Sequence, residues 1–236
     1  MKKIHRFIGA WPLALGTLRI DDETLAHQLR SVLKLEPGEQ IVLGDGTGTE
    51  VQGRILRYDR DAVIVEGIAI GRNANELPGR TILYCAVLKA DHFELAAQKA
   101  TEVGVSEIVP IVTARTVKLS LRLDRVEKII REAAEQAGRG LVPMVREAVA
   151  FERVLTEASR NDVNFFFDPS GEPFGGVAKS VGHAGIWIGP EGGWDEDELE
   201  RAGQLGMHVA SLGNLVLRAE TAVIVAAYLV AHSMKS

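Results

Sequence analysis

From residue 80 onward, short apolar runs alternate with helical patterns, and no other feature restricts the fold as much. "TILYCAVL" (81–88) is apolar without alternation, the pattern of a strand covered on both faces. "DHFELAAQKATEVG" follows, with Asp91 placed to cap a helix, Glu94 three residues on and Gly104 just past the end. "EIVPIV" is a second strand. "LDRVEKIIREAAEQAG" then sets Val126, Ile129, Ile130, Ala133 and Ala137 along one helical face, with Gly138 as its stop. "VNFFF", "GIWI" and "HVASL" are further short strands. A last helix, about Ala219 to His232, is apolar nearly all round, as a helix buried against a sheet, a partner subunit or both would be. This alternation predicts an α/β domain with a mainly parallel sheet.

The first third has another texture. Residues 39–70 alternate apolar runs with Gly- and Asp-rich turns and read as short strands. "GDGTG" (44–48) lacks the lysine and hydroxyl residue of a phosphate-binding loop, and no helical pattern follows it, so it reads as a hairpin turn. Before it, Leu25, Leu29, Val32 and Leu33 share a helical face that Asp21 or Asp22 can cap and Pro37-Gly38 can end. One helix beside a small antiparallel sheet or barrel is expected. The polar "GRNANELPG" (71–79) reads as a connection. The division expected is residues 1–72, a linker at 73–79, and residues 80–236.

The 236 residues carry a net charge of −5, which argues against nonspecific coating of nucleic acid. The charge is segregated, however. Basic residues enrich the first 34 positions and the stretch from Arg115 to Arg139, whereas Glu191, Asp195, Glu196, Asp197, Glu198 and Glu200 form an acidic block. An anionic partner is therefore permitted on one side only. No apolar run reaches the roughly 18 residues of a membrane span, and His5, Arg6 and Pro12 interrupt the N-terminal apolar stretch. The single cysteine, Cys85, reads as a small buried hydrophobe. The cytoplasm is the compartment expected. Dinucleotide fingerprints, metal-ligand pairs and a nucleophile elbow are all missing, so no metal is expected and chemistry has to rest on an organic cofactor or on binding geometry.

Ligands of open parallel sheets bind beyond the carboxyl ends of the strands. Three such ends are rich in turn-formers: "FFFDPSGEP", "IGPEGGW" and "SLGNLVLRAET". In the second, Asp195 can cap a helix and Glu198 can complete a capping box, which explains the acids but not four turn-formers in a row. Gly189, Gly192, Gly193 and Gly213 would let a ligand approach the main chain.

"IGPEGGWDEDELE" followed by "LGNLVLRAETA" closely resembles the C-terminal signature of the RsmE-type ribosomal RNA methyltransferases, in the SPOUT (trefoil-knot) superfamily. "QKATEVGVSEIVPIVTART", "REAAEQAGR" and "HQLRSVLKLEPGE" preceded by "HRFIG" agree, in family order, over nearly the whole chain. The resemblance implies a knotted α/β methyltransferase domain, a PUA-like RNA-binding N-terminal domain, a homodimer, and methylation of N3 of one uridine in 16S rRNA of the small ribosomal subunit. S-adenosylmethionine is the implied methyl donor. Carried onto matching positions, its site is Phe167, Ile188, Gly189, Pro190, Glu191, Gly192 and Gly193 together with Leu212, Gly213, Asn214 and Leu217. Two departures stand out: Leu215 where the family usually has arginine, and Trp194 where it usually has phenylalanine.

Methylating N3 of uracil requires loss of its imide proton. A guanidinium near O2 or O4 would stabilise the developing anion, and Arg218 is the candidate, with an ion pair to Glu220 or Glu191 as its other reading. Glu220 is a base, an orienting group for Arg218, or simply an acid beginning the last helix. RNA contacts are expected from Arg6, Arg30 and Lys34, with Arg115, Lys118, Arg122 and Arg139 as a second group. Three rivals remain: a related knot enzyme with another RNA target, a non-catalytic RNA-binding relative suggested by Leu215, and a generic nucleotide-binding protein.

Overall fold

The computed structural model describes residues 4–117 and 121–234. The chain divides into two compact units, Met1–Glu76 with Ala134–Val142, and Leu77–Ala133 with Pro143–Ser236.

In the first unit, β1 (His5–Ile8), β2 (Gly16–Ile20), β3 (Gln40–Gly44), β4 (Thr49–Asp59) and β5 (Ala62–Arg72) form one sheet in the order β1-β3-β4-β5-β2. All pairings are antiparallel except β1 with β3. "GDGTG" is the β3–β4 hairpin turn. The Asp45 carboxylate accepts from the backbone N–H of Thr47 and Thr49, at 2.7 and 3.2 Å. The helix α1 (Glu23–His27) is capped by Asp22, whose side chain accepts from Leu25 N–H. Its next turn, Gln28–Val32, widens to a π-helix, with Leu33 N–H bonded to the Gln28 carbonyl. Leu25 and Leu29 are buried in the sheet's core beside Ile41 and Leu43, as their spacing predicts. Val32 is 63% exposed instead, because the wider turn rotates it off the face that a regular 3.6-residue period would give it.

The second unit runs β6 (Arg80–Ala86), α2 (Ala90–Glu102), β7 (Glu107–Val112), α3 (Leu123–Ala137, counted with the first unit from Ala134), β8 (Met144–Val145), β9 (Val149–Ala150), α4 (Phe151–Ala158), β10 (Val163–Pro173), β11 (His183–Ile188), α5 (Glu196–Gln204), β12 (His208–Ser211) and α6 (Ala219–Ser233). The sheet order is β12-β10-β11-β6-β7-β8, with β9 also on β7, and every pairing is parallel. Its centre is aromatic. Trp187, fully buried, stacks on Tyr84 at 4.2 Å between ring centroids and meets Phe151 edge-on. Cys85 is fully buried in β6, and burial pushes its thiol pKa well above the ordinary value.

Two boundaries bear on the site. Helix α2 begins at Ala90 behind Lys89, so Asp91 lies in its first turn and caps nothing. The N-cap is Lys89, so the helix starts two residues earlier than the capping pattern suggests. Helix α6 packs on α2, β6 and β11 and buries Val223, Ala226, Ala227 and Val230. Its other face leaves Tyr228 and Leu229 exposed.

Candidate methyl-transfer site

The loops beyond the carboxyl ends of β6, β10, β11 and β12 enclose a cavity of about 750 Å³. That volume suits a small organic ligand, and the position is the one open parallel sheets use.

The β11–α5 loop is held from both sides. Glu198 is 6% exposed, and its carboxylate accepts from Asp195 N–H and from Ala114 N–H, each at 2.9 Å. The first bond completes a capping box with Asp195, whose side chain accepts from Asp197 N–H. Arg115 donates to the Gly192 carbonyl at 3.1 Å and to the Asp195 carboxylate at 3.2 Å. Trp194 turns back beneath the loop. It is buried, its indole N–H donates to the Phe167 carbonyl at 3.0 Å, and its ring lies 4.1 Å from that of Phe166.

The glycines divide by cause. At Gly189 a Cβ would stand 3.0 Å from the Trp194 ring, so close packing is what requires glycine. Gly193 and Gly213 have φ of +71° and +116°, a region that side chains disfavour. A Cβ at either would meet nothing within 4 Å, so bare backbone faces open space there.

Of the expected donor-site residues, Phe167, Ile188, Gly189, Pro190, Glu191, Gly192 and Gly193 line the cavity from one side. Leu212, Gly213 and Leu217 line it from the other, while Asn214 belongs to the same loop but is not part of the wall. Leu215 and Val216 form an apolar rim, 80% and 85% exposed. Arg218 also lines the cavity as the N-cap of α6. Among the described residues no carboxylate lies within 4.0 Å of its guanidinium, so the expected alternative of an ion pair to Glu220 or Glu191 is not formed. Glu220 stands just behind the wall, 9% exposed, in the first turn of α6.

The basic residues expected to touch RNA divide sharply. Arg30 and Lys34 are exposed, and Arg115 and Arg122 are half-exposed to exposed with local carboxylate partners. Lys118 lies outside the described residues. Arg139 is a correction: only 5% exposed, it is bound to Glu76 at 3.0 Å and serves the interior of the first unit. Arg6 is likewise turned to a forked pair with Glu50, at 2.8 and 3.1 Å.

Lys89 and His92, beyond the end of β6, also line the cavity and were missed in the sequence. They belong to a fourth strand end, "VLKADHF", which the strand-end rule covers but whose residues read as helix-capping.

An all-parallel sheet with a cavity at its carboxyl edge and a C-terminal helix returning over β11 and β6 forms a ligand-binding α/β domain, and the comparisons with known proteins place it in the SPOUT class of RNA methyltransferases. Residues 75–231 match the profile described as an RNA methyltransferase domain, and residues 20–66 match that of an RNA methyltransferase PUA domain. The chain is 32% identical to the ribosomal RNA small subunit methyltransferase E of Mesomycoplasma hyopneumoniae, over 72% of this chain and 76% of that one. It is 30% identical to the Bacillus subtilis protein of the same name, over 83% and 82%. The crystal structure of the Neisseria gonorrhoeae enzyme, bound to S-adenosyl methionine, superposes with a TM-score of 0.86 at 28% identity, covering 95% of each chain. The chain belongs to the ribosomal RNA small subunit methyltransferase E family.

Proposed function

We propose that this chain transfers the methyl group of S-adenosylmethionine to N3 of one uridine in 16S rRNA of the small ribosomal subunit, in the cytoplasm and as a homodimer. The observation that carries the reading is the cavity itself. Its volume suits the donor, and the bare backbone of Gly193 and Gly213 faces open space where an adenine edge can hydrogen-bond to main-chain atoms. When bound, the donor supplies an electrophilic methyl group on a sulfonium.

The chain's own residues do the rest. The loops Ile188–Gly193 and Leu212–Leu217, with Phe167, fix the donor, Asn214 being one of the residues of the second loop. Arg218, at the cavity and unpaired among the described residues, directs its guanidinium to the uracil oxygen that gains negative charge as the imide proton leaves. Glu220, behind the wall, takes part in handling that proton. Residues 1–72 bind RNA, chiefly through Arg30 and Lys34, with Arg115, Arg122 and Lys118 of the second domain (80–236) setting register on phosphates. Residues 73–79 join the two. The exposed Tyr228 and Leu229 on α6 support the dimer, since a lone chain leaves them in water.

Mass spectrometry of ribosomal RNA from cells with and without the gene tests the reading. One N3-methyluridine in 16S rRNA disappears with the gene and returns when purified protein and donor are added to the deficient subunits. A different modified nucleoside would transfer the reading to another RNA target. Donor binding without any labelling would make the chain a binding relative.

A further inference from the structure

At the cavity wall, one ring nitrogen of His92 and two carboxylate oxygens converge with no hydrogen bond among them. His92 Nδ1 lies 3.7 Å from Glu191 Oε1 and 3.8 Å from Glu220 Oε2. Among the described residues, both Nδ1 and Glu220 Oε2 are buried without a hydrogen bond. Glu191 Oε1 accepts from the Lys89 backbone N–H at 3.5 Å. Among the described residues the other charged group within 4.0 Å of the imidazole is Asp91, 4.0 Å from Nε2 and 84% exposed. Among the described residues no lysine or arginine side-chain nitrogen comes within 4.0 Å of either carboxylate.

With Nδ1 unprotonated, its lone pair and the two carboxylates repel one another, and buried acceptors left unpaired are destabilising. A proton on Nδ1 resolves the conflict after a ring adjustment of a few tenths of an ångström. His92 Nδ1 and Glu220 Oε2 are buried, and a proton fits between them without any further group entering. We propose that His92 is a positioning residue for methyl transfer, holding a proton between Glu191 and Glu220 and so making the pair a proton-accepting site in the cavity wall. This rests on the function proposed above.

Glu191 lines the cavity with a side chain 43% exposed, and takes the proton from uracil N3. The N3–H electron pair becomes the new nitrogen–carbon bond. The carbon–sulfur pair stays on sulfur, which leaves as a neutral thioether. The trio then holds two protons and releases one to water. The way out is the outer part of the imidazole, because the side chain is 30% exposed although Nδ1 is buried.

The test is single-turnover methylation at saturating donor, using deficient small subunits carrying either uridine or 5-fluorouridine, whose imide is more acidic. His92→Gln is expected to bind donor within about threefold of the unaltered protein and to methylate uridine about 100-fold more slowly, in the range of general acid–base effects. Its defect shrinks below about tenfold with 5-fluorouridine, which needs less help to lose its proton. Glu220→Gln, which leaves the imidazole in place, shows the same narrowing and serves should His92→Gln fold poorly. An equal defect with both acceptors, or none with either, overturns the proposal. If the unaltered protein methylates neither subunit, the proposed function fails instead.

Discussion

Gly193 and Gly206 share a backbone conformation and differ in place, which allows strain to be separated from ligand binding. Both have φ of +71°, and at both a Cβ would meet nothing within 4 Å. Gly206 ends α5, away from the cavity, whereas Gly193 is in its wall. Replacing either with alanine forces a Cβ into the left-handed region at about 1–2 kcal/mol. For a chain of this size that lowers Tm by about 2–8 °C, and equally in the two variants. Donor affinity should diverge. In Gly193→Ala the methyl group projects into the space that the donor is proposed to occupy, and Kd should rise at least about tenfold, or 1.4 kcal/mol. In Gly206→Ala it should stay within about twofold of the unaltered value. Thermal melts followed by calorimetric titration with S-adenosylmethionine measure both quantities. Equal melts with equal donor affinity would refute the reasoning, and Gly193 would be a turn residue only.

Arg218→Ala should lower single-turnover rate by about 100-fold or more, comparable to removing one oxyanion donor, while donor Kd stays within about threefold; a normal rate would remove the anion-stabilising role. Cys85 should resist alkylation in the native protein and react only on unfolding, since burial disfavours its thiolate; mass spectrometry of iodoacetamide-treated protein reads this directly. The Asp162 carboxylate accepts from His183 N–H and Gly182 N–H, both at 2.8 Å, and these bonds hold its pKa below the usual carboxylate range. A depressed native pKa contributes stability above the unfolded pKa, near 4, and loses it as pH falls through the native value. Asp162→Asn should therefore lose less stability than the unaltered protein in denaturant titrations taken from about pH 5 towards pH 2.

Where local chemistry decides a feature, the sequence was readable. The acids after "GPEGG" are a capping box, as Asp195 and Glu198 indicate by spacing alone, and the "GDGTG" turn follows from residues that bond within five positions of each other. Features set by distant partners were not readable in this way. Gly189 is glycine because Trp194 folds back under it, and Arg139 is buried because Glu76 waits for it in the fold. Val32 left its expected face through a one-residue widening of the helical turn that a 3.6-residue period cannot encode. His92 looked like part of a helix start, and only the fold brings Glu191 of the β11–α5 loop and Glu220 of the first turn of α6 to within 4 Å of it.

The whole account depends on where the methyl donor sits. A crystal structure of this chain grown with S-adenosylmethionine should show it between the loops Ile188–Gly193 and Leu212–Leu217, with main-chain atoms bonded to its adenine and its methyl group towards Arg218. Donor density anywhere else on the chain would contradict the account.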